Sequence, residues 1–182
     1  MSEEMFVRQC APTLAGVKTG SLFSCPYDTR EGMTEDVRRL NRVLVPKGLL
    51  LPLRYSEKRV LLYLYRPTEL WRDLNDDKAA EILDAAGYSC TDCDRCVVKL
   101  IQRLRGNKDF PHEIGLFLSY PPEDVKGFID NNAANFKYSG LWKVYGDEKH
   151  AKAMFEKFKK CTDIYCRMWQ AGVSLDRLAV SA

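Results

Sequence analysis

Three cysteines at two-residue spacing, Cys90-Thr-Asp-Cys93-Asp-Arg-Cys96, are the sharpest chemical signal in the chain. Thiolates spaced in this way can wrap an iron-sulfur cluster when a fourth ligand comes from elsewhere. Cys161 or Cys166 could supply it, and a four-thiolate zinc site would use the same sulfur atoms. The run also overlaps a helix start. Cys93, Cys96, Val97 and Leu100 then share one face, where a thiol serves as a small apolar side chain.

A second pattern pairs Cys25 with His112. A cysteine nucleophile needs a base to make thiolate, and imidazole is the usual one. Sheet geometry opposes the pair. If the strands that hold them run parallel, Cys25 ends one while His112 precedes the other, roughly 20 Å away at ~3.3 Å per residue. A buried cysteine and a surface histidine satisfy the same residues.

The loop Tyr27-Asp28-Thr29-Arg30-Glu31 gathers an aromatic ring, a carboxylate and a guanidinium. Arg30 could grip a carboxylate or phosphate by its planar fork. Equally, Asp28 could brace the turn and Arg30 could pair with Glu35 or Asp36. Trp71, Trp142 and Trp169 read as core or rim residues. No dinucleotide glycine fingerprint or haem-attachment motif is present.

The elements that position these groups alternate between strand and helix. Gly20–Cys25 suits a buried strand stopped by Pro26. A helix follows with Thr34 as its cap, and Val37, Leu40, Val43 and Leu44 on its buried face. Leu49–Tyr55 and Arg59–Arg66 form a hairpin, and Pro52 requires an edge position or a bulge there. A helical stretch runs from Pro67 to about Gly106. Then come a strand over Ile114–Tyr120, a helix over Pro122–Asp130 and a strand over Leu141–Tyr145. Helices over Asp147–Lys159 and Thr162–Ala171 close the chain.

Gly20-Ser-Leu-Phe-Ser-Cys-Pro26 lies over Gly115-Leu-Phe-Leu-Ser-Tyr-Pro121 without a gap, and seven extra residues in the first copy bring Glu35-Asp36-Val37 onto Glu123-Asp124-Val125. This reads as an internal repeat of two β-α-β half-units. The expected fold is α+β, a mixed sheet of about five strands covered by helices. It forms a single domain over 1–182, with halves at roughly 19–66 and 112–160 and a helical connection at 67–110. Ligands gather beyond the carboxyl ends of such strands, which singles out Cys25, Tyr27, Asp28, Arg30 and Tyr120.

Bulk properties narrow the classes. The chain has 182 residues, 46% hydrophobic and 29% charged, with a net charge of +3. That charge lacks the concentrated basic stripe of a nucleic-acid surface, so nucleic acid is not an expected partner. No apolar run approaches the ~20 residues that span a bilayer. Met1-Ser-Glu-Glu4 is acidic where a secretory signal is basic, so a cytoplasmic location is expected. Seven cysteines without a signal point to reduced thiols or metal ligands.

At Cys10-Ala-Pro-Thr-Leu-Ala-Gly, Cys25-Pro-Tyr-Asp-Thr-Arg-Glu-Gly-Met-Thr-Glu-Asp-Val, Phe110-Pro-His-Glu-Ile-Gly-Leu-Phe-Leu-Ser-Tyr-Pro-Pro-Glu-Asp-Val and Trp142-Lys-Val-Tyr-Gly-Asp-Glu, the chain resembles domain of unknown function 3793. The resemblance covers nearly the whole chain and implies an anaerobic, bacterial, cytoplasmic setting. It brings no activity, cofactor or catalytic residue.

Three functions therefore stand as expectations. The first is a domain that binds a small molecule or protein partner at the loop after the first strand. The second is a cysteine-ligated zinc or iron-sulfur protein using Cys90, Cys93, Cys96 and Cys161. The third is a thiol enzyme built on Cys25 and His112.

Overall fold

The computed structural model describes residues 1–88, 91–106 and 110–181. In chain order the elements are α1 (Glu3–Leu14), β1 (Gly20–Pro26), α2 (Arg30–Leu44), β2 (Leu49–Tyr55), β3 (Arg59–Tyr65), α3 (Pro67–Leu74), α4 (Asp77–Ala85) and α5 (Cys93–Gly106). A 3-10 helix (His112–Leu118), α6 (Pro122–Asp130), β4 (Tyr138–Ser139), β5 (Lys143–Val144), α7 (Glu148–Gln170) and α8 (Leu175–Leu178) follow. The chain divides into two compact units, residues 1–67 with 159–182, and residues 68–158. Among the described residues, no helix is long and apolar enough to cross a membrane.

The first unit holds a three-stranded sheet in the order β1-β3-β2, with both pairings antiparallel. β1 and β2 therefore run parallel with β3 between them, and α2 is the crossover. Alternation on β3 puts Val60, Leu62 and Leu64 on one face with Phe23, Cys25 and Leu50. Phe6, Val7, Cys10 and Leu14 of α1 and Val37, Leu40 and Leu44 of α2 cover that face. Tyr63 and Tyr65 alternate onto the other face, stacked at 5.2 Å and buried.

β2 is an edge strand, and its register shifts between Pro52 and Arg54, as a proline in a strand requires. Asn41 of α2 blunts this edge: its amide donates to the Leu50 carbonyl at 2.9 Å and accepts from the Leu50 N–H at 2.8 Å. The cap of α2 is Thr29, whose hydroxyl accepts from the Gly32 N–H. The helix thus begins one turn earlier than a Thr34 cap predicts.

The fold is α+β, but the expected five-stranded mixed sheet of two β-α-β half-units is not what forms. Among the described residues there is a three-stranded antiparallel sheet and a separate two-stranded one, β4 with β5. The paired segments of the expected repeat differ in conformation. Gly20–Pro26 is a strand, whereas residues 115–118 belong to the 3-10 helix, which ends at Ser119 with φ 59. The reason lies in burial. The first segment leaves Ser24 and Pro26 exposed between buried neighbours, the signature of a half-buried strand. The second is buried at every position from Glu113 to Leu118, and a short continuous apolar run does not distinguish strand from helix. The two segments give no structural evidence of the expected repeat.

The second unit is built on α4, the 3-10 helix, α6 and the β4–β5 hairpin, which pack on one another. The apolar residues of α7 sustain one continuous helix of 23 residues in place of the two expected.

Candidate functional site

In the second unit, α6, the hairpin and the 3-10 helix line an open-sided cavity of about 360 Å³ with mostly apolar walls. Its frame is set by one carboxylate. Asp124, in the first turn of α6, is only 2% exposed. Its Oδ1 accepts from the Tyr145 and Gly146 N–H groups and its Oδ2 from Trp142 Nε1, each at 2.7 Å. Three charge-assisted bonds to a buried carboxylate fix the hairpin against the helix.

Two glycines allow this close approach. A Cβ on Gly127 would meet the Tyr145 ring at 2.4 Å, and one on Gly140 would meet the Phe155 ring at 2.2 Å. Helix and hairpin backbones therefore approach these aromatic rings more closely than any other residue would permit. The walls are aromatic pairs: Tyr120 stacks on Trp142 at 4.6 Å, Trp142 meets Phe155 edge-on at 4.4 Å, and His112 meets Phe128 at 5.0 Å. Each ring is held by another, so the walls are preformed. Burial pushes the Tyr120 phenol above its ordinary value.

Lys143 of β5 also lines the cavity. Its Nζ donates to the Ala133 carbonyl at 2.6 Å and lies 4.7 Å from the Phe136 ring. Ala133 has φ 63, next to Asn132 at φ 48 and two residues before Asn135 at φ 58. Alanine in the left-handed region is uncommon, so the packing of this loop holds the carbonyl that receives Lys143.

A larger, more polar cavity of about 870 Å³ shares Phe110 and His112 with the first. At its wall Glu113, 3% exposed, accepts from the Tyr88 hydroxyl at 3.0 Å and is ion-paired with Arg103 Nε at 2.6 Å. Arg103 also donates to the Ala86 carbonyl and lies over the Tyr88 ring. Burial, then the Glu113 charge, pushes the Tyr88 phenol well up. This network joins α5 to the 3-10 helix, and its charges are matched internally.

The loop after β1 lies in the first unit beside a cavity of about 820 Å³ lined by Tyr27, Asp28, Arg38, Arg39 and Arg42 among others. The structure brings Tyr27 and Arg30 together around Tyr55: Tyr27 meets the Tyr55 ring at 5.4 Å and Arg30 lies 5.1 Å above it. The Tyr27 hydroxyl donates to the Ser56 carbonyl. Asp36 is bound by the N-terminal ammonium and by Arg39, which also pairs with Glu3. Asp28 is exposed. Cys25 is 1% exposed and its thiol donates to the Pro26 carbonyl at 3.1 Å. Burial raises its pKa, and the N-terminal ammonium and Arg59 offset this only in part.

Tyr120 belongs to the second unit and lines the aromatic cavity, as does His112, which is exposed. The five residues singled out at strand ends are thus divided between the units, and so are Cys25 and His112. Of the proposed metal ligands, Cys90 lies outside the described residues. Cys93 begins α5 with its thiol pushed up to about 11 by burial, Asp94 and Asp92. Cys96 is buried and disulfide-bonded. Cys161 is half-buried on α7 in the first unit. Among the described residues no three His, Cys, Asp or Glu side chains form a group able to hold a metal ion.

Asp124, Phe128, Gly140 and Lys143 are the site residues that spacing does not reveal. Asp124 reads as an acid at the positive end of a helix, and its partners are 18 to 22 residues away. The available signal was the clustering of Trp142, Tyr145 and Gly146 within one short run.

The family described as "Protein of unknown function (DUF3793)" matches residues 6–179, and the chain belongs to it. No curated protein and no solved structure matches the chain.

Proposed function

We propose that this member of a family without an assigned activity is a binding protein for a small, largely aromatic molecule, held in the 360 Å³ cavity of its second unit. The observation that carries the reading is the preformed aromatic wall, Tyr120 on Trp142 and His112 on Phe128, around a space of ligand size. Cavities of ~300–1,000 Å³ with apolar walls and a few fixed polar groups are the usual form of small-molecule sites. The other cavities described are lined more by charged groups: Arg103 pairs with Glu113 and Lys126 with Asp130 in the larger one, and Arg39 with Asp36 beside the loop. A two-ring ligand that buries ~250 Å² of apolar surface gains on the order of 6 kcal/mol, an affinity in the tens of micromolar.

The test is a titration of the full chain with N-phenyl-1-naphthylamine, a neutral three-ring fluorophore. Saturable binding of one molecule per chain is expected, weakened about tenfold in Phe128→Ala, while the thermal unfolding midpoint confirms that the variant folds. Absence of saturable binding, or equal affinity in a folded Phe128→Ala, contradicts the reading.

A further inference from the structure

We infer that the ligand of this cavity is an aromatic anion, a carboxylate or sulfonate on a planar frame, with its charged group read by Lys143. This rests on the reading of the aromatic cavity as the binding site and names the class of molecule it takes.

The argument is one of unmatched charge. Among the described residues, three ionisable groups other than phenols line the cavity: Asp124, Lys143 and His112. Asp124 is the only carboxylate, and its two oxygens already accept three N–H groups at 2.7 Å. It offers nothing to a ligand cation. Among the described residues Lys143 has no carboxylate within ion-pair distance, and its hydrogen bond goes to a neutral carbonyl, Ala133. An ammonium has three N–H donors, so two are available. Its direction is fixed. The Ala133 carbonyl holds one side, and the Phe136 and Phe128 rings lie 4.7 and 5.9 Å from Nζ. These rings lie beside a half-buried Lys143 and hold its ammonium at the pocket wall by cation–π contact. His112 adds a further N–H donor at the same wall.

The aromatic part follows from the same walls. Tyr120 and Trp142 both line the pocket, and a planar ring can pack on the parts of them that their mutual stack leaves uncovered. The volume accommodates two fused rings with one acidic substituent.

The test compares two fluorophores with one ring frame, 1-anilinonaphthalene-8-sulfonate and N-phenyl-1-naphthylamine, on wild type, Lys143→Met and Lys143→Arg at low ionic strength. On wild type, the sulfonate should bind one site about tenfold more tightly than the neutral amine. Lys143→Met should remove that tenfold advantage and leave the neutral probe within threefold. Lys143→Arg should preserve it, which separates charge from a folding defect. Each probe should displace the other. Equal affinity of both probes on wild type, or a sulfonate preference that survives in Lys143→Met, overturns the anionic class while the cavity reading stands. Failure of both probes to bind overturns the class and the reading together.

Discussion

The loop after β1 and the aromatic cavity both gather rings and charges around an opening, but they use them differently. In the loop, Arg39 is engaged by Glu3 and Asp36, Asp36 by the N-terminal ammonium, the Tyr27 hydroxyl by Ser56, and Arg30 by the Tyr55 ring. Such groups hold the chain in place. In the cavity, Asp124 alone does that work, and its three bonds leave Lys143 without a counter-ion. Among the described residues Arg38 and Arg42 beside the loop also lack an ion pair, so what sets Lys143 apart is its place among aromatic rings that line an apolar pocket.

Substitutions can break this contrast. The largest effect is expected from Asp124→Ala, which leaves the Trp142, Tyr145 and Gly146 N–H groups unpaired in a buried place. Loss of hydrogen bonds to a charged group costs ~1.5–3 kcal/mol each, so denaturant unfolding should show a loss of about 3 kcal/mol or more, with probe binding abolished. Gly140→Val comes next. Its side chain would enter the Phe155 ring, and overpacking of this kind costs about 1–3 kcal/mol. Binding should fall with stability, since the hairpin must move away from α7.

Smaller effects are expected in the loop. Arg39→Ala removes ion pairs that are half-exposed, and solvent screening limits the loss to at most about 1 kcal/mol. Its affinity for either probe should equal wild type. A changed affinity there would erase the contrast between the two regions.

Acid pH should show the same division. Burial acts to raise the Asp36 pKa, but bonds and charge from the N-terminal ammonium and Arg39 prevail and lower it. The folded value lies below the unfolded one. The stability this contributes is therefore complete above the ordinary carboxylate range, near pH 4, and is lost as pH falls through the folded value. Asp36→Asn should flatten the acid limb of the stability curve, measured by urea unfolding between pH 2 and 6. An acid limb unchanged by the substitution would show that the loop charges contribute no stability.

Local rules carried some of this architecture and failed elsewhere for physical reasons. α6 has the bounds that its Pro-Pro-Glu-Asp start and apolar spacing predict, and the β2–β3 hairpin carries its bulge at Pro52 as expected. The Gly115–Pro121 segment shares the glycine, the second serine, the proline and two apolar positions of β1. It becomes a 3-10 helix because it packs on α6, where a Cβ on Gly115 would meet Val125 at 2.7 Å. That contact is set by tertiary structure and leaves no periodicity to read. His112 was a candidate through its chemistry and Tyr120 through its place at the end of an expected strand that does not form. Their meeting in one cavity, with Lys143 and Trp142 from the hairpin, depends on Asp124 reaching across 18 or more residues.

Contacts from a bound ligand test the central claim most directly. Intermolecular NOEs should be measured between N-phenyl-1-naphthylamine and the isotope-labelled full chain. The account predicts cross-peaks to the side chains of Trp142, Tyr120 and Phe128. Cross-peaks confined to Tyr27, Tyr55 or other residues of the first unit would contradict it.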